Sequence, residues 1–365
     1  MPKVSFNNKN RVFYAALKSS VDEYFATNNI KKTGNGKLFT KTLILIPAAI
    51  IIYISLLVFS MPAVVGILLS GLFGFVLASI GFNVMHDACH GSYSSRGWIN
   101  GLMGHTLNAL GGNAFIWKFK HNIIHHTYTN VDGMDDDIAK SPLMRQCHTQ
   151  KWLPMHRFQH IYVVLVYSIT SFAWVFMMDY AKYFSKKIVS TPLQKMSKKE
   201  HLIFWLTKIL YLLFYVAIPV MAVGWGKWAI GFVSFNIVMG FTLAIVFQLA
   251  HVVEDAVFEF TDSENDLKIE EEWAVYQVKA TANFATKNKI ISWFVGGLNF
   301  QVEHHLFPRV SHIHYRALNK IVKETCMQYN VPYNEFPTML KAMASHFKMM
   351  KEFGRKPAYI KLVGN

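Results

Sequence analysis

Apolar positions in this chain fall in long blocks rather than in alternating stripes. Residues 42–61 (TLILIPAAIIIYISLLVFSM) and 63–85 (AVVGILLSGLFGFVLASIGFNVM) carry no charge and are separated by little more than Pro62. Residues 202–223, with Lys208 near their start, and 228–250 (WAIGFVSFNIVMGFTLAIVFQLA) form a second pair, joined by Gly224-Trp225-Gly226-Lys227. A helix crossing a bilayer needs about 20 consecutive apolar residues. Each block therefore predicts a membrane span, and each closely spaced pair predicts a helical hairpin. A soluble bundle with buried core helices is the alternative, and uncharged runs of this length argue against it.

The polar segments orient these spans. Residues 1–41 hold eight Lys or Arg against two acids, and 182–199 hold six Lys and no acid. Lysine and arginine concentrate on the cytoplasmic side, which places both stretches there. A fifth apolar run, 161–178, then begins and ends in the cytoplasm, so it is expected to lie in the interface or to dip in and return. The first 41 residues do not resemble a cleaved signal. The expectation is an all-α integral membrane protein with four transmembrane helices in two hairpins under a cytoplasmic helical cap. It reads as a single domain over 1–365. Residues 1–41 are a cytoplasmic N-terminal segment, 42–250 the membrane hairpins and their connections, and 251–365 the cap.

Composition sharpens this picture. Of 365 residues, 52% are hydrophobic and 16% charged, where soluble domains carry nearer a quarter charged. Disorder, collagen and a small disulfide scaffold are excluded. Cys89, Cys147 and Cys326 form no CxxC pair, so no zinc ribbon or dithiol redox motif is present. The net charge of +15 is compatible with nucleic acid or with a membrane surface. The spans favour the membrane, and no nucleic-acid partner is expected.

The 16 histidines carry the chemistry. His86 and His90, in HDACH, lie i, i+4 at the end of the second block, so a continuing helix puts both rings on one face. His121, His125 and His126, in HNIIHH, repeat the spacing and add a neighbour turned about 100° away. Gln301, His304 and His305, in QVEHH, place Gln301 and His304 on one face, with His305 diverging. In this topology all three clusters sit where spans meet cytoplasm, and His251 enters at the same depth. His105 is left outside the set. His148, His156, His160, His201, His312, His314 and His346 read as surface or interfacial residues.

So many imidazoles exceed the four ligands of one tetrahedral zinc and suit two metals. The cysteines are too few for an iron–sulfur cluster. Imidazole alone does not choose among zinc, copper, iron and nickel. Asp87, Asp135, Asp137 and Glu303 are placed to accept imidazole N–H groups and so orient the ligands.

HDACH, HNIIHH and QVEHH, in this order and between paired spans, resemble the three histidine boxes of the membrane fatty acid desaturases, over roughly residues 42–330. Flanking words agree: Gly91-Ser92, Thr129-Asn130, Asp135-x-Asp137-Ile138, Asn299-Phe300 and Leu306-Phe307-Pro308. Gln301 opening the third box resembles the front-end subgroup, which inserts a double bond between an existing one and the carboxyl end. The resemblance implies a di-iron centre bound by His86, His90, His121, His125, His126, His251, His304 and His305, with Gln301 binding directly, through water, or only orienting a neighbour. The histidines of the three boxes would be the catalytic residues. Many eukaryotic front-end members carry a fused cytochrome b5 domain with an HPGG motif, which is missing here. A separate ferredoxin or cytochrome b5 is therefore expected to deliver electrons, and a bacterial inner membrane is expected before the endoplasmic reticulum.

The resemblance further implies O2-dependent removal of two hydrogens from neighbouring methylenes of a long-chain acyl-CoA or acyl-lipid held in an apolar tunnel, with membrane lipid as the surrounding partner. The basic segments 182–199 and 341–361 then serve topology and attraction to anionic lipid. A membrane hydroxylase or a sphingolipid desaturase shares the first hydrogen abstraction and is the nearest alternative. A histidine-rich metal-binding or transport protein would place ionisable groups at mid-span, and these spans are nearly free of them.

Overall fold

The computed structural model describes residues 4–9, 11–139, 142–261 and 266–357. Lys3 and Lys361, among the basic residues counted above, lie outside them. Helix α1 is Val12–Thr27. Helix α2, Gly36–Val58, starts where the Asn35 side chain accepts a hydrogen bond from Lys37 N, 2.9 Å away, supplying one of the helix's unpaired donors with an acceptor. Helix α3, Ala63–His90, runs from the second apolar block through the first histidine cluster. Three further short helices follow: α4 (Gly97–Gly104), α5 (Thr106–Ala109) and α6 (Ala114–Lys118).

The fifth apolar run forms two helices, α7 (Pro154–Ser168) and α8 (Thr170–Ser185), bent by 60° at their junction. The remaining two blocks share one unit, α9, Lys198–His251. At 54 residues a straight helix would measure about 80 Å, far more than a bilayer's thickness. Instead it folds back at Gly224, whose φ of 79° and ψ of 162° lie outside helical space and suit a residue without Cβ. The Tyr215 and Phe235 rings are consequently 5.7 Å apart, where a straight helix would separate them by about 30 Å. Trp228 Nε1 also reaches Tyr215 O at 2.8 Å. The expected four-residue turn is thus compressed into one glycine. Three helices, α2, α3 and α9, are long and apolar enough to cross a membrane, and a fourth candidate appears if α7 and α8 count as one broken span.

The second limb of α9 runs parallel to α3. Contacts advance together along both: Gly74 meets Phe235, Gly81 meets Leu243, and Phe82 meets Phe247. A Cβ on Gly74 would fall 2.1 Å from Phe235 O, so the two backbones touch there. This pairing brings the C-terminal ends of α3 and α9, and with them His86, His90 and His251, to one level.

Beyond α9 lie α10 (Trp273–Lys279), α11 (Lys289–Phe294), α12 (Gln301–Leu306), α13 (Tyr315–Gln328) and α14 (Met339–Phe353). Short parallel strand pairs tie distant segments together: Val4–Phe6 with Leu267–Ile269, Val131–Asp132 with Glu259–Phe260, and Asn283–Phe284 with Glu335–Phe336. The cap core packs α1 against α10 and α13 through Leu17, Val21, Ala274 and Leu318.

One ion pair is buried among the apolar helices. Lys208 Nζ lies 3.0 Å from Asp179 Oδ2 and donates to Gly111 O at 2.6 Å, while Trp174 Nε1 donates to Asp179 Oδ1 at 3.0 Å. It fastens α9 to α8 and to the loop before α6. Removing one partner of such a pair strands the other charge, at a cost of about 3–5 kcal/mol. Lys208→Met should therefore lower the thermal midpoint of the detergent-purified protein markedly. Lys208→Met combined with Asp179→Leu should recover much of that loss.

Candidate metal centre

Four elements converge on the buried cage. The end of α3 contributes His86 and His90. The turn after α6 contributes His121, His125 and His126. The end of α9 contributes His251, and α12 contributes His304 and His305. The chain is wound more loosely than an α-helix just before the first cluster, at Gly81–Met85, and across the second, at Phe119–His125, with i→i+5 bonding. Such wide turns are rare and recur at functional sites. Here the wide turn leaves His121 and His125 stacked, their rings 5.1 Å apart and 19° from parallel.

The imidazoles form overlapping groups, two of which share no residue. His86, His90, His121 and His304 bring one donor atom each to within 4.8 Å of one another, and so do His125, His251 and His305. His126 sits between them, its ring 4.6 Å from that of His304 and 4.5 Å from that of His305. All eight side chains are buried.

Three of the rings have a protein partner at Nδ1. His125 Nδ1 lies 3.0 Å from Asp135 Oδ2 and 3.4 Å from Asp137 Oδ2. His304 Nδ1 meets Tyr315 Oη at 3.0 Å, and His305 Nδ1 meets Gln277 Oε1 at 2.9 Å. A proton on Nδ1 of each ring leaves the Nε2 lone pair facing inward. Those inner atoms, Nε2 of His86, His90, His121, His126, His304 and His305, are buried without any hydrogen-bond partner. Unpaired buried acceptors are costly, and a cation accounts for them together. Burial, and then the neighbouring imidazoles, hold the pKa values of His121, His126, His304 and His305 well below the usual histidine value. The rings are therefore neutral and able to bind metal near pH 7. Burial also opposes charge on His125, but the Asp135 carboxylate outweighs it and raises that pKa.

The residues proposed from sequence as metal-binding mostly gather here. Gln301 lies one turn ahead of His304 and His305 on α12, buried, its amide nitrogen without a partner. His105 stays apart, hydrogen-bonded to Asn108 at 3.1 Å. Of the four carboxylates expected to hold cluster imidazoles, Asp135 does so by hydrogen bond to His125, and Asp137 lies beside the same ring while accepting from Lys120. Asp87 and Glu303 do not. Asp87 Oδ2 accepts from Ser311 Oγ at 2.6 Å and lies 3.1 Å from His312 Nδ1. Glu303, on the face of α12 turned away from the cage, accepts from Asn283, Asn319 and Tyr333.

The assignment of His156, His312, His314 and His346 to the surface is corrected, because all four are buried. Each has a polar partner in the interior. His312 Nε2 is 2.9 Å from Lys41 Nζ, and Lys41 Nζ also donates to Asn83 Oδ1 at 2.8 Å. His346 bridges Tyr167 Oη and Val252 O, at 2.8 and 2.7 Å. Tyr315, Gln277 and Trp117, whose ring stacks 4.3 Å from that of His121, escaped the sequence reading, since nothing in their spacing marks them. Asn130 was within reach of it. Its side chain donates to His251 O, Val257 O and Ala280 O, and it stands four residues after the second cluster, in the flanking Thr129-Asn130 word.

Residues 42–337 match the fatty acid desaturase family, and the chain belongs to it. Similar proteins include the sn-1 linoleoyl-lipid 6-desaturase of Arthrospira platensis, 36% identical over 97% of this chain and 96% of that one. The enzyme of the same name from Synechocystis is 34% identical over 97% and 98%. The acyl-lipid (8-3)-desaturase of Physcomitrium patens is 33% identical over 95% of this chain and 72% of its own. The protein is a fatty acid desaturase, an oxidoreductase of lipid metabolism with buried histidine clusters able to bind metal.

Partners that orient a ligand imidazole typically contribute 10–100-fold in metal affinity. Asp135→Asn should weaken metal retention by about that factor, read as metal per chain after dialysis against a graded chelator.

Proposed function

We propose that the cage holds two iron ions and that the protein inserts a cis double bond into a long-chain acyl-lipid, on the carboxyl side of an existing double bond. The single observation that carries the two-metal reading is that seven of the eight buried imidazoles fall into two groups sharing no residue, with His126 beside both. His86, His90, His121 and His304 would hold one ion, and His125, His251 and His305 the other, with Gln301 beside the third box. The printed activities of the cyanobacterial and moss relatives, on linoleoyl-lipid and acyl-lipid, support a lipid-linked substrate rather than acyl-CoA.

When bound, iron supplies the oxidising power that side chains lack. In the overall reaction O2, two electrons and two protons, together with the two hydrogens removed from adjacent methylenes, give two waters and one C=C bond. The protein's share is positioning. Asp135, Tyr315 and Gln277 fix three ligand rings, and Trp117 braces His121. The apolar surroundings exclude water and hold one pair of carbons at the centre, where small displacements cost rate steeply. Electrons would arrive from a ferredoxin or a cytochrome b5 at the basic face, and α2, α3 and the two limbs of α9 would give four spans in two hairpins. The cage would face the cytoplasm of a bacterial inner membrane.

Expression in a host supplied with linoleate should give a product two mass units lighter, its new double bond located by mass spectrometry. A gain of one oxygen would instead indicate a hydroxylase. His125→Ala and His304→Ala should each abolish the new bond while the protein still accumulates in the membrane. Protein from iron-replete medium should carry about two irons per chain.

A further inference from the structure

Beside the metal cage lies a second, separate cleft of about 520 Å³, between α2, α3, α5 and the first limb of α9. Ile50, Leu77, Leu210 and Phe214 form its walls, and among the described residues no Asp, Glu, Lys or Arg lines it. Its polar groups sit mainly at one end. There His105 Nδ1 meets Asn108 Oδ1 at 3.1 Å, and Asn108 Nδ2 donates to Thr207 Oγ1 at 3.3 Å. At the other end Tyr53 Oη donates to Phe214 O at 2.5 Å and joins α2 to α9 as a floor. The first limb of α9 lines the cleft from Ile203 to Tyr215, about 18 Å of helix. That is close to half the roughly 30 Å hydrocarbon thickness of a bilayer, the depth of one leaflet.

Three of the four walls are helices apolar enough to cross a membrane, so an occupant reaches this cleft from the hydrocarbon phase. Its volume lies within the usual range for small-molecule sites. The four-residue helix α5 separates cleft from cage. Leu107 faces the cage side, packed with Met85, Cys89 and Trp117, and Asn108 and Ala109 face the cleft. Trp117 in turn lies 5.7 Å and 6.0 Å from the His86 and His90 rings. A ligand with two chains joined near its polar end could straddle α5, one chain on each side.

The geometry points to a binding site for the non-reacting acyl chain of a diacyl lipid, whose other chain enters the cage. This rests on the acyl-lipid reading above and adds to it a second anchor and a substrate class, two-chain lipids over single-chain acyl donors. His105, Asn108 and Thr207 would meet the ester and headgroup region, and the aromatic floor would meet the chain's methyl end.

The test uses the full-length protein in phosphatidylcholine vesicles containing a phosphatidylglycerol with a diazirine at the end of one acyl chain. Illumination should label the Leu210–Tyr215 segment. Ala109→Trp and Ile50→Trp, at exposed positions on the cleft, should each reduce that labelling several-fold with metal content unchanged. Both should raise KM for a diacyl lipid several-fold, with kcat unchanged and with little effect on a single-chain lysolipid. Labelling confined to outward residues such as Leu43 and Ile51, or unaltered by both substitutions, would overturn the site. Labelling as expected together with equal effects on one-chain and two-chain substrates would overturn its role in substrate choice. Labelling is read without turnover, so a cleft that labels in a protein forming no double bond in a diacyl lipid would sink the acyl-lipid reading alone.

Discussion

The arrangement depends on one constraint: imidazole nitrogens removed from water must find another partner. Six inner nitrogens have none among protein groups. Leaving each unmatched would cost on the order of 1–3 kcal/mol, a large sum beside the 5–15 kcal/mol by which a domain is usually stable. Protonating the rings would be worse, because several charges would share a small volume of low dielectric. The cage is coherent only if the rings stay neutral, turn their lone pairs inward and meet cations. The outer hydrogen bonds of His304 and His305 select that orientation, and burial, then the neighbouring rings, suppress protonation there, whereas carboxylates favour the charged form of His125.

Much of this was legible in the sequence because two periodic signals are local. Apolar blocks long enough for a bilayer are set by composition, and α2, α3 and α9 lie where those blocks predict. The i, i+4 and adjacent histidines are likewise local, and they meet as their spacing and a common depth suggest. His251 was placed by depth and by the family resemblance, and the parallel run of α3 beside the second limb of α9 explains why depth agreed. The break at Gly224 was narrower than a four-residue turn, since one positive-φ glycine can reverse direction unaided. The bent pair α7–α8 leaves both a broken span and a dipping segment compatible with the expected 161–178 run.

What escaped the reading is long-range. Gln277 and Tyr315 sit on α10 and α13, and no motif joins them to the rings they touch. His312 looked peripheral because it belongs to no histidine box. Its neighbours in space are Asp87 and Lys41, from α3 and α2. Asp87 illustrates the same limit: adjacency to His86 suggested that it serves the cage, yet on a helix consecutive residues face different ways. It binds the segment after the third box instead, joining the two box-bearing stretches from behind.

The parallel strand pairs and the four-part cage carry a consequence for biogenesis. Val131–Asp132 waits for Glu259–Phe260, and the rings of His86 and His90 wait for His304. During synthesis, which proceeds from the N-terminus at about 5–20 residues per second, the first two clusters leave the ribosome well before the third exists. For roughly 9–36 s at that rate they stand as an incomplete histidine set. The complete set of buried histidines is therefore available only after residue 305 has emerged.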